Sequence, residues 1–138
     1  MQSHRFEMRL YCNYAGENGI ASLKVEHLDG DEWKNLELDT MTPGFLIFTY
    51  AVFTCQHMFL RANANERNLQ LASSNGRIMI DAAPDWKIEK LHVAFDVTLK
   101  SGTPTADDIE YITERMQHCP VSKNLGEIPD TLTELLFA

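Results

Sequence analysis

Three cysteines, Cys12, Cys55 and Cys119, are the residues of this sequence best suited to covalent chemistry. Their odd number and wide spacing do not fit the disulfide framework of a secreted protein. The sequence has no CxxC or HExxH motif and no close Cys/His cluster, so we expect neither a metal site nor a bound cofactor. Paired thiols in a cytoplasmic protein are usually catalytic or redox-active. The cysteines therefore favour reversible thiol oxidation as the chemistry.

Cys119 lies at the joint of the stretch ERMQHCPVSKNLGE, residues 114–127, where a predicted helix ends. Pro120 cannot continue that helix but can open a new one, which makes Cys119 a candidate N-cap of a second short helix. The amide groups and dipole at a helix start favour a thiolate, and Lys123 would act in the same direction. This position predicts a cysteine suited to thiol exchange. The structural alternative is a half-buried small residue at a kink.

Cys55 lies within the run FLIFTYAVFTCQHMFL, residues 45–60, which is apolar on almost every side. Such a run predicts a helix enclosed by protein on all sides, either by sheet or by a second subunit. A membrane span is the alternative, but the run is shorter than the ~20 residues that a bilayer requires. A buried cysteine is commonly a small apolar filler. That is the structural alternative for Cys55 and our expectation for Cys12.

The elements around these cysteines predict an α+β fold, because strands and helices are segregated along the chain. Before the apolar helix, residues 5–14, residues 20–29 and the segment after Asp29-Gly30 are typical of a three-stranded antiparallel meander. After it, NLQLASSNGRIMIDA predicts a hairpin around Ser74-Asn75-Gly76. KIEKLHVAFDVTLKS alternates like a half-buried strand. The tail IPDTLTELLFA predicts a final strand.

A second helix is predicted to begin near residues 103–105. Either Thr103 caps it with Pro104 in the first position, or Thr105 caps it in a capping box with Asp108. A buried stripe that includes Ile112 is expected on one side of this helix. The helix leads directly into the Cys-Pro joint, so its end determines where Cys119 lies.

The length and net charge of the chain limit the domain organisation and the kinds of partner that we expect. The chain has 138 residues, which predicts a single domain over residues 1–138. Its formal net charge is −8, which argues against nucleic acid or an anionic membrane as a partner, because both attract basic surfaces. The start MQSHRFEMRLYC lacks the apolar segment of a signal peptide. We therefore expect a cytoplasmic protein.

The segments TPGFLIFTYAVFTCQHMFL and ITERMQHCPVSKNL resemble the OsmC/Ohr family of thiol peroxidases, the osmotically inducible and organic hydroperoxide resistance proteins. The resemblance covers residues 40–138 well and residues 1–39 loosely. It implies an intertwined homodimer in which antiparallel strands of both subunits wrap two apolar central helices. It also implies that Cys55 attacks an organic hydroperoxide and becomes a sulfenic acid. Cys119 would then condense with it to a disulfide that a dithiol reductant recycles.

The sequence departs from the family in the charges that usually surround the attacking thiol. The family places a glutamate early in the central helix, whereas here Pro43 is followed by Gly-Phe. Many members carry an arginine in the turn after the first strand, but this turn reads AGENG. A buried thiol without a neighbouring cation has a raised pKa. Arg5 and Arg9 on the first strand are the candidates for activating the Cys55 thiolate, and either could reach the site of a partner subunit.

Three functions remain compatible with the sequence. The first is a two-cysteine peroxidase that reduces organic hydroperoxides. The second is the same dimeric fold acting as a module that binds an apolar ligand at its interface without turnover. The third is a redox sensor in which Cys55 and Cys119 oxidise slowly. The cysteine pair favours the first and third functions, and the missing charges favour the second.

Overall fold

A computed structural model describes residues 2–138 and shows one six-stranded sheet with two α-helices packed on one of its faces. The strand order is β3-β2-β1-β4-β5-β6, and every neighbouring pair is antiparallel except β5 and β6, which are parallel. The elements in chain order are β1 (His4–Ala15), β2 (Gly19–Asp29), β3 (Glu32–Asn35), α1 (Gly44–Glu66), β4 (Gln70–Ala82), β5 (Ile88–Ser101), α2 (Ala106–Gln117) and β6 (Asp130–Phe137). The predicted α+β class is confirmed.

The N-terminal strands form the predicted antiparallel meander. β1 and β2 pair through residues such as Met8 with His27 and Leu10 with Val25. Met8 and Leu10 are buried on the side that carries the helices. Because side chains alternate across a strand, the residues between them point to the opposite face. This alternation decides which β1 residues can approach α1.

The predicted hairpin around Ser74-Asn75-Gly76 is wrong, because β4 runs straight through these residues. Gly76 is needed for packing rather than for a turn. A Cβ atom at this position would lie 2.6 Å from Cε1 of Phe95 on the neighbouring strand. The chain reverses later, where the backbone N–H of Ala83 donates to Lys87 O.

The predicted alternation of β5 is confirmed and supplies much of the core. Leu91, Val93, Phe95 and Val97 are all at most 3% exposed. The predicted final strand is also present, as β6, and it pairs with β5 in parallel. A parallel pair needs a long connection, and α2 with the Cys-Pro segment provides it. The connection therefore places Cys119 on the helical side of the sheet.

α2 begins as one of the two predicted alternatives. Thr105 is the N-cap, its hydroxyl accepts from the backbone N–H of Asp108, and the Asp108 carboxylate accepts from the backbone N–H of Thr105. This is a complete capping box. Ile112 and Met116 are fully buried against the core, so the helix is held at its start by capping and along its length by packing.

α1 is the central helix and extends beyond the predicted end at residue 60. By length and composition alone it could cross a membrane. Its buried side chains nevertheless include Gln56, His57 and Asn63, and each is hydrogen-bonded within the protein. Buried polar groups with protein partners fit a helix inside a folded domain. We therefore describe α1 as the core helix of this domain.

Within one chain, α1 is not enclosed on every side. Ile47 and Met58 on the helix are 41% and 53% exposed, and Cys55 lies between them on the same side of the helix at i, i+8 and i+11 spacing. On β2, Ile20 and Leu23 are 42% and 40% exposed. They belong to the helical side of the sheet, because their direct partners Tyr14 and Cys12 do. We call these five residues (Ile20, Leu23, Ile47, Cys55 and Met58) the open face.

Candidate functional site

The fold brings Cys55 and Cys119 close together. Cys55 lies in the middle of α1 and is partly exposed, whereas Cys119 follows the end of α2 and is fully buried. Cys119 is near enough to act on the pKa of the Cys55 thiol, and both cysteines are free thiols. Neighbouring cysteines can form a disulfide when local movement brings their sulfurs together. The pair is therefore arranged for reversible oxidation.

The Cys-Pro segment positions Cys119, although not as the N-cap that the sequence predicts. α2 ends with His118 as its C-cap, and the next helical piece is a single 3₁₀ turn, Ser122–Asn124, with Val121 at its N-cap position. A three-residue turn cannot supply the dipole of an α-helix. The backbone N–H of Ser122 nevertheless lies 3.5 Å from Cys119 Sγ and donates to it.

The surroundings of Cys55 keep it protonated. Burial is the main cause that raises the pKa of the Cys55 thiol to about 11, and the neighbouring Cys119 sulfur, towards which the protonated Cys55 thiol can donate, adds to it. The backbone N–H of Val121 acts in the opposite direction, because it donates to the sulfur. Among residues 2–138, no cation contributes to lowering this pKa. At neutral pH, Cys55 in this chain is therefore a thiol and a slow nucleophile.

Within one chain, Arg5 and Arg9 do not lie beside Cys55. Neither arginine can therefore activate the Cys55 thiolate of the same chain. Both alternate with the buried Met8 and Leu10, so they point to the face of the sheet opposite α1. Arg5 Nε binds Asp81 at 2.7 Å, and Arg9 Nε binds Glu26 at 2.8 Å. The sheet separates both guanidinium groups from the thiol pair of the same chain.

A buried polar chain that the sequence analysis missed links three elements to Cys119. Cys119 Sγ lies 3.2 Å from Ser122 Oγ, and Gln56 Nε2 donates to the same Ser122 oxygen at 3.2 Å. Thr133 on β6 donates to Gln56 Oε1, also at 3.2 Å. Gln56 and Thr133 are 2% and 6% exposed. The signal was Gln56, which together with His57 interrupts the apolar run around Cys55.

Cys12 has different neighbours and takes no part in the thiol pair. It is buried on β1, and its thiol pKa is raised by burial, with opposing effects from Tyr14 and Arg61. Tyr14 Oη lies 2.7 Å from His57 Nε2 and also bonds Ser74 Oγ. His57 is therefore a buried histidine that is hydrogen-bonded within the core.

Arg61 borders that cluster and was also missed. Its Nε is buried without a hydrogen-bond partner among residues 2–138. Burial and the positive charge of Arg61 lower the pKa of His57 to about 4. Arg61 lies on α1 six residues after Cys55, which places the two side chains on different sides of the helix. It cannot replace the missing activator of Cys55 in the same chain.

A cavity of about 670 Å³ lies beside the end of the Cys-Pro segment. Trp86 and Ile88 line one side, and Leu125, Ile128 and Pro129 line the other. A smaller cavity of about 80 Å³ shares Leu125 and Ile128 with it and reaches Gln56 and Ser122. Across residues 2–138, no group of three or more His, Cys, Asp or Glu side chains is placed to hold a metal ion.

Comparisons with known proteins show which known fold the chain has. No protein-family model matches the sequence, and no curated protein matches it significantly. Several solved structures are similar to it, including three OsmC-like proteins. An OsmC-like hydroperoxide resistance protein from Jannaschia sp. CCS1 is 18% identical over 89% of this chain and 87% of its own, with a TM-score of 0.56.

An OsmC-like protein from Mycoplasma pneumoniae is 7% identical, covers 99% of this chain and 94% of its own, and has a TM-score of 0.54. An OsmC-like protein of unknown function from Vibrio cholerae is 14% identical, covers 82% and 84%, and has a TM-score of 0.53. At these identities the comparison concerns the backbone architecture. The chain therefore has the OsmC-like fold that its two cysteine-containing segments predict.

Proposed function

We propose that this protein is a two-cysteine thiol peroxidase that reduces organic hydroperoxides. The observation that carries the proposal is the proximity of a partly exposed thiol, Cys55, to a fully buried one, Cys119. The accessible thiol can meet a peroxide, and the buried thiol lies where it can close a disulfide. The hydroperoxide resistance protein from Jannaschia, which has the same fold, supports this choice of substrate class.

The proposed reaction has two covalent steps. The Cys55 thiolate attacks the peroxide O–O bond, which gives Cys55 sulfenic acid and, after protonation, an alcohol. Cys119 then attacks the sulfenic sulfur. An S–S bond forms, the S–O bond breaks, and the hydroxyl group leaves with the Cys119 proton as water. A dithiol reductant returns both cysteines to thiols by exchange and is itself oxidised to a disulfide.

The proposal includes a homodimer built on the open face. Exposed apolar side chains on the helical side of a sheet are costly in water, and a second copy of the chain would remove them from it. The same face contains Cys55, so the peroxide would enter at the subunit interface. We place this dimer in the cytoplasm, where reductants keep thiols reduced, and expect no nucleic-acid or membrane partner.

Turnover with a dithiol tests the proposal. We expect purified protein to consume an alkyl hydroperoxide in the presence of dithiothreitol and to release one alcohol per peroxide. Cys55→Ser should reduce this rate to the background of dithiothreitol alone. Cys12→Ala is the matched control and should retain the rate. Equal turnover by wild type and Cys55→Ser would remove Cys55 from the mechanism and overturn the proposal.

A second candidate function is supported by the cavity of about 670 Å³ and by the raised pKa of Cys55. A chain that binds an apolar ligand beside Trp86, Leu125 and Ile128 would need no thiolate. In that case, binding of a fluorescent fatty acid should be unchanged in Cys55→Ser and lost in Leu125→Glu. If the protein shows neither turnover nor ligand binding, the slow redox sensor is the remaining function. Formation of the Cys55–Cys119 disulfide without turnover would identify it.

A further inference from the structure

Gln56 links the resolving cysteine to two other elements of the fold. Its Nε2 donates to Ser122 Oγ, and its Oε1 accepts from Thr133 Oγ1. It is adjacent to Cys55 in the sequence but, at 2% exposure, lies on the buried side of α1. An amide with both ends paired holds one orientation. Gln56 therefore fixes Ser122 relative to α1 and β6.

Ser122 in turn contacts the sulfur of Cys119 twice. The Cys119 thiol lies 3.2 Å from Ser122 Oγ, and the Ser122 backbone N–H lies 3.5 Å from Cys119 Sγ. The segment that carries both residues is irregular between α2 and the 3₁₀ turn. Its own backbone hydrogen bonds, such as Cys119 N–H to Met116 O and Lys123 N–H to Cys119 O, fix its local shape. The side chain of Gln56 adds a hydrogen bond that ties this segment to α1 and, through Thr133, to β6.

We propose that Gln56 is a positioning residue for the resolving step, with Thr133 as its support. Through Ser122, it holds Cys119 so that the disulfide forms before a second peroxide reaches the Cys55 sulfenic acid. The competing reaction converts that sulfenic acid and a hydroperoxide into a sulfinic acid and an alcohol. This inference rests on the proposed peroxidase function, but the closure of the disulfide can be measured without any peroxide.

The experiment uses the full chain with Cys12→Ala as the parent and dithiobis(nitrobenzoate) as the probe. Cys55 attacks the reagent and releases one nitrothiobenzoate. Cys119 then attacks the mixed disulfide, forms the Cys55–Cys119 bond and releases the second. The first release reports access to Cys55, and the second reports positioning of Cys119. Cys119→Ala identifies the second phase, because only the first release should remain.

We expect Gln56→Met to leave the first release unchanged and to slow the second about fivefold, the order of effect of one lost hydrogen bond. Thr133→Val should slow the second release in the same direction, whereas Thr133→Ser, which keeps the hydroxyl, should match the parent. Thr49→Val removes another buried hydroxyl of α1 that has no contact with Cys119. It is the matched control and should leave both phases unchanged.

A second release as fast in Gln56→Met and Thr133→Val as in the parent would overturn the inference. Equal slowing in Thr49→Val would also overturn it, because the effect would then be general loosening of α1. If Gln56→Met does not fold, Thr133→Val and Ser122→Ala decide the question.

A parallel experiment treats the protein with an alkyl hydroperoxide and measures the yield of Cys55 sulfinic acid by intact-protein mass spectrometry. Gln56→Met should raise this yield about fivefold. If the parent does not react with the peroxide, the proposed function fails. The reagent arm still decides the role of Gln56.

Discussion

At the scale of single residues, the reactivity of Cys55 is controlled by burial. The pKa of its thiol is raised to about 11 by burial and by Cys119. Below that pKa, the thiolate fraction grows about tenfold for each pH unit, because each unit removes a tenfold excess of protons. The peroxidase proposed here is therefore expected to work faster at alkaline pH.

This control by burial predicts the pH dependence of Cys55 alkylation. In a Cys12→Ala background, the rate with iodoacetamide should rise about tenfold per pH unit between pH 7 and about 10. Peptide mass spectrometry identifies the alkylated residue. A rate that levels off below pH 8 would contradict this prediction and would indicate a cation beside Cys55 in the assembled protein.

His57 predicts a different pH effect, on stability. Its pKa is lowered to about 4 by burial and by Arg61, below the ordinary value of 6.5. The unfolded chain binds a proton at His57 near pH 6.5, and the folded chain does not. The contribution of neutral His57 to stability is therefore complete above pH 6.5 and is lost as the pH falls towards 4.

Urea unfolding at pH 7 and pH 4.5 measures this contribution. The wild type should lose about 2–3 kcal/mol more than His57→Gln over this interval, a range that follows from 1.36 kcal/mol per pKa unit. Comparison of the two proteins cancels the titration of carboxyl groups that they share. Equal losses would show that His57 has an ordinary pKa in the folded chain.

At the scale of elements, β4 requires a glycine at position 76. The Phe95 ring of the neighbouring strand occupies the space that a Cβ atom at this position would need. Gly76→Ala should destabilise the protein by about 1–3 kcal/mol, the typical cost of overpacking a core. Gly126→Ala is the control, since a Cβ atom there would meet nothing within 4 Å.

Adding Phe95→Leu to Gly76→Ala tests the cause. The double variant should lose less stability than the sum of the two single variants, because the smaller side chain relieves the clash. Denaturant midpoints measure all four proteins. Full additivity would mean that Phe95 does not occupy the space beside residue 76.

The same strand shows where prediction from sequence succeeds and fails. Alternation in β5 and the capping box at Thr105 are local patterns, so they predict the right elements. Ser-Asn-Gly in β4 is also a local turn pattern, but its real determinants are distant. Gly76 makes room for Phe95, and Ser74 bonds Tyr14. Packing across strands cannot be read from a short window.

The candidate site also has a part that the sequence predicts and a part that depends on distant contacts. The Cys-Pro motif and the cysteine in the apolar run indicate the thiol pair, because their types and context are visible in the sequence. Gln56 and Thr133 are 77 residues apart and meet only after β6 joins the sheet. Alternation along β1 turns Arg5 and Arg9 to the face opposite α1, so their predicted role stays open only at the site of a partner subunit.

At the scale of the whole molecule, the open face predicts an obligate homodimer. Met58 is 53% exposed on α1 although its helix lies in the core. Met58→Glu places a charge there and should shift the protein towards monomer at low micromolar concentration, because a buried unpaired charge opposes association. Leu136→Glu on the other face of the sheet, where Leu136 is 49% exposed, is the control and should stay dimeric.

Light scattering coupled to size exclusion measures the mass of both variants and the wild type. A stable wild-type monomer of 15.7 kDa at low micromolar concentration would contradict the dimer. It would also leave the open face without the partner proposed for it.

Thiol counting after brief peroxide exposure tests the central claim most directly. The chain has three cysteines, all reduced. After minutes with a stoichiometric alkyl hydroperoxide at pH 9 and denaturation, wild type should retain one thiol, Cys12, with Cys55 and Cys119 joined in one disulfide-linked peptide pair. Cys55→Ser should keep both of its thiols. Three remaining thiols in the wild type, or equal loss in Cys55→Ser, would contradict the claim that Cys55 and Cys119 form the redox site.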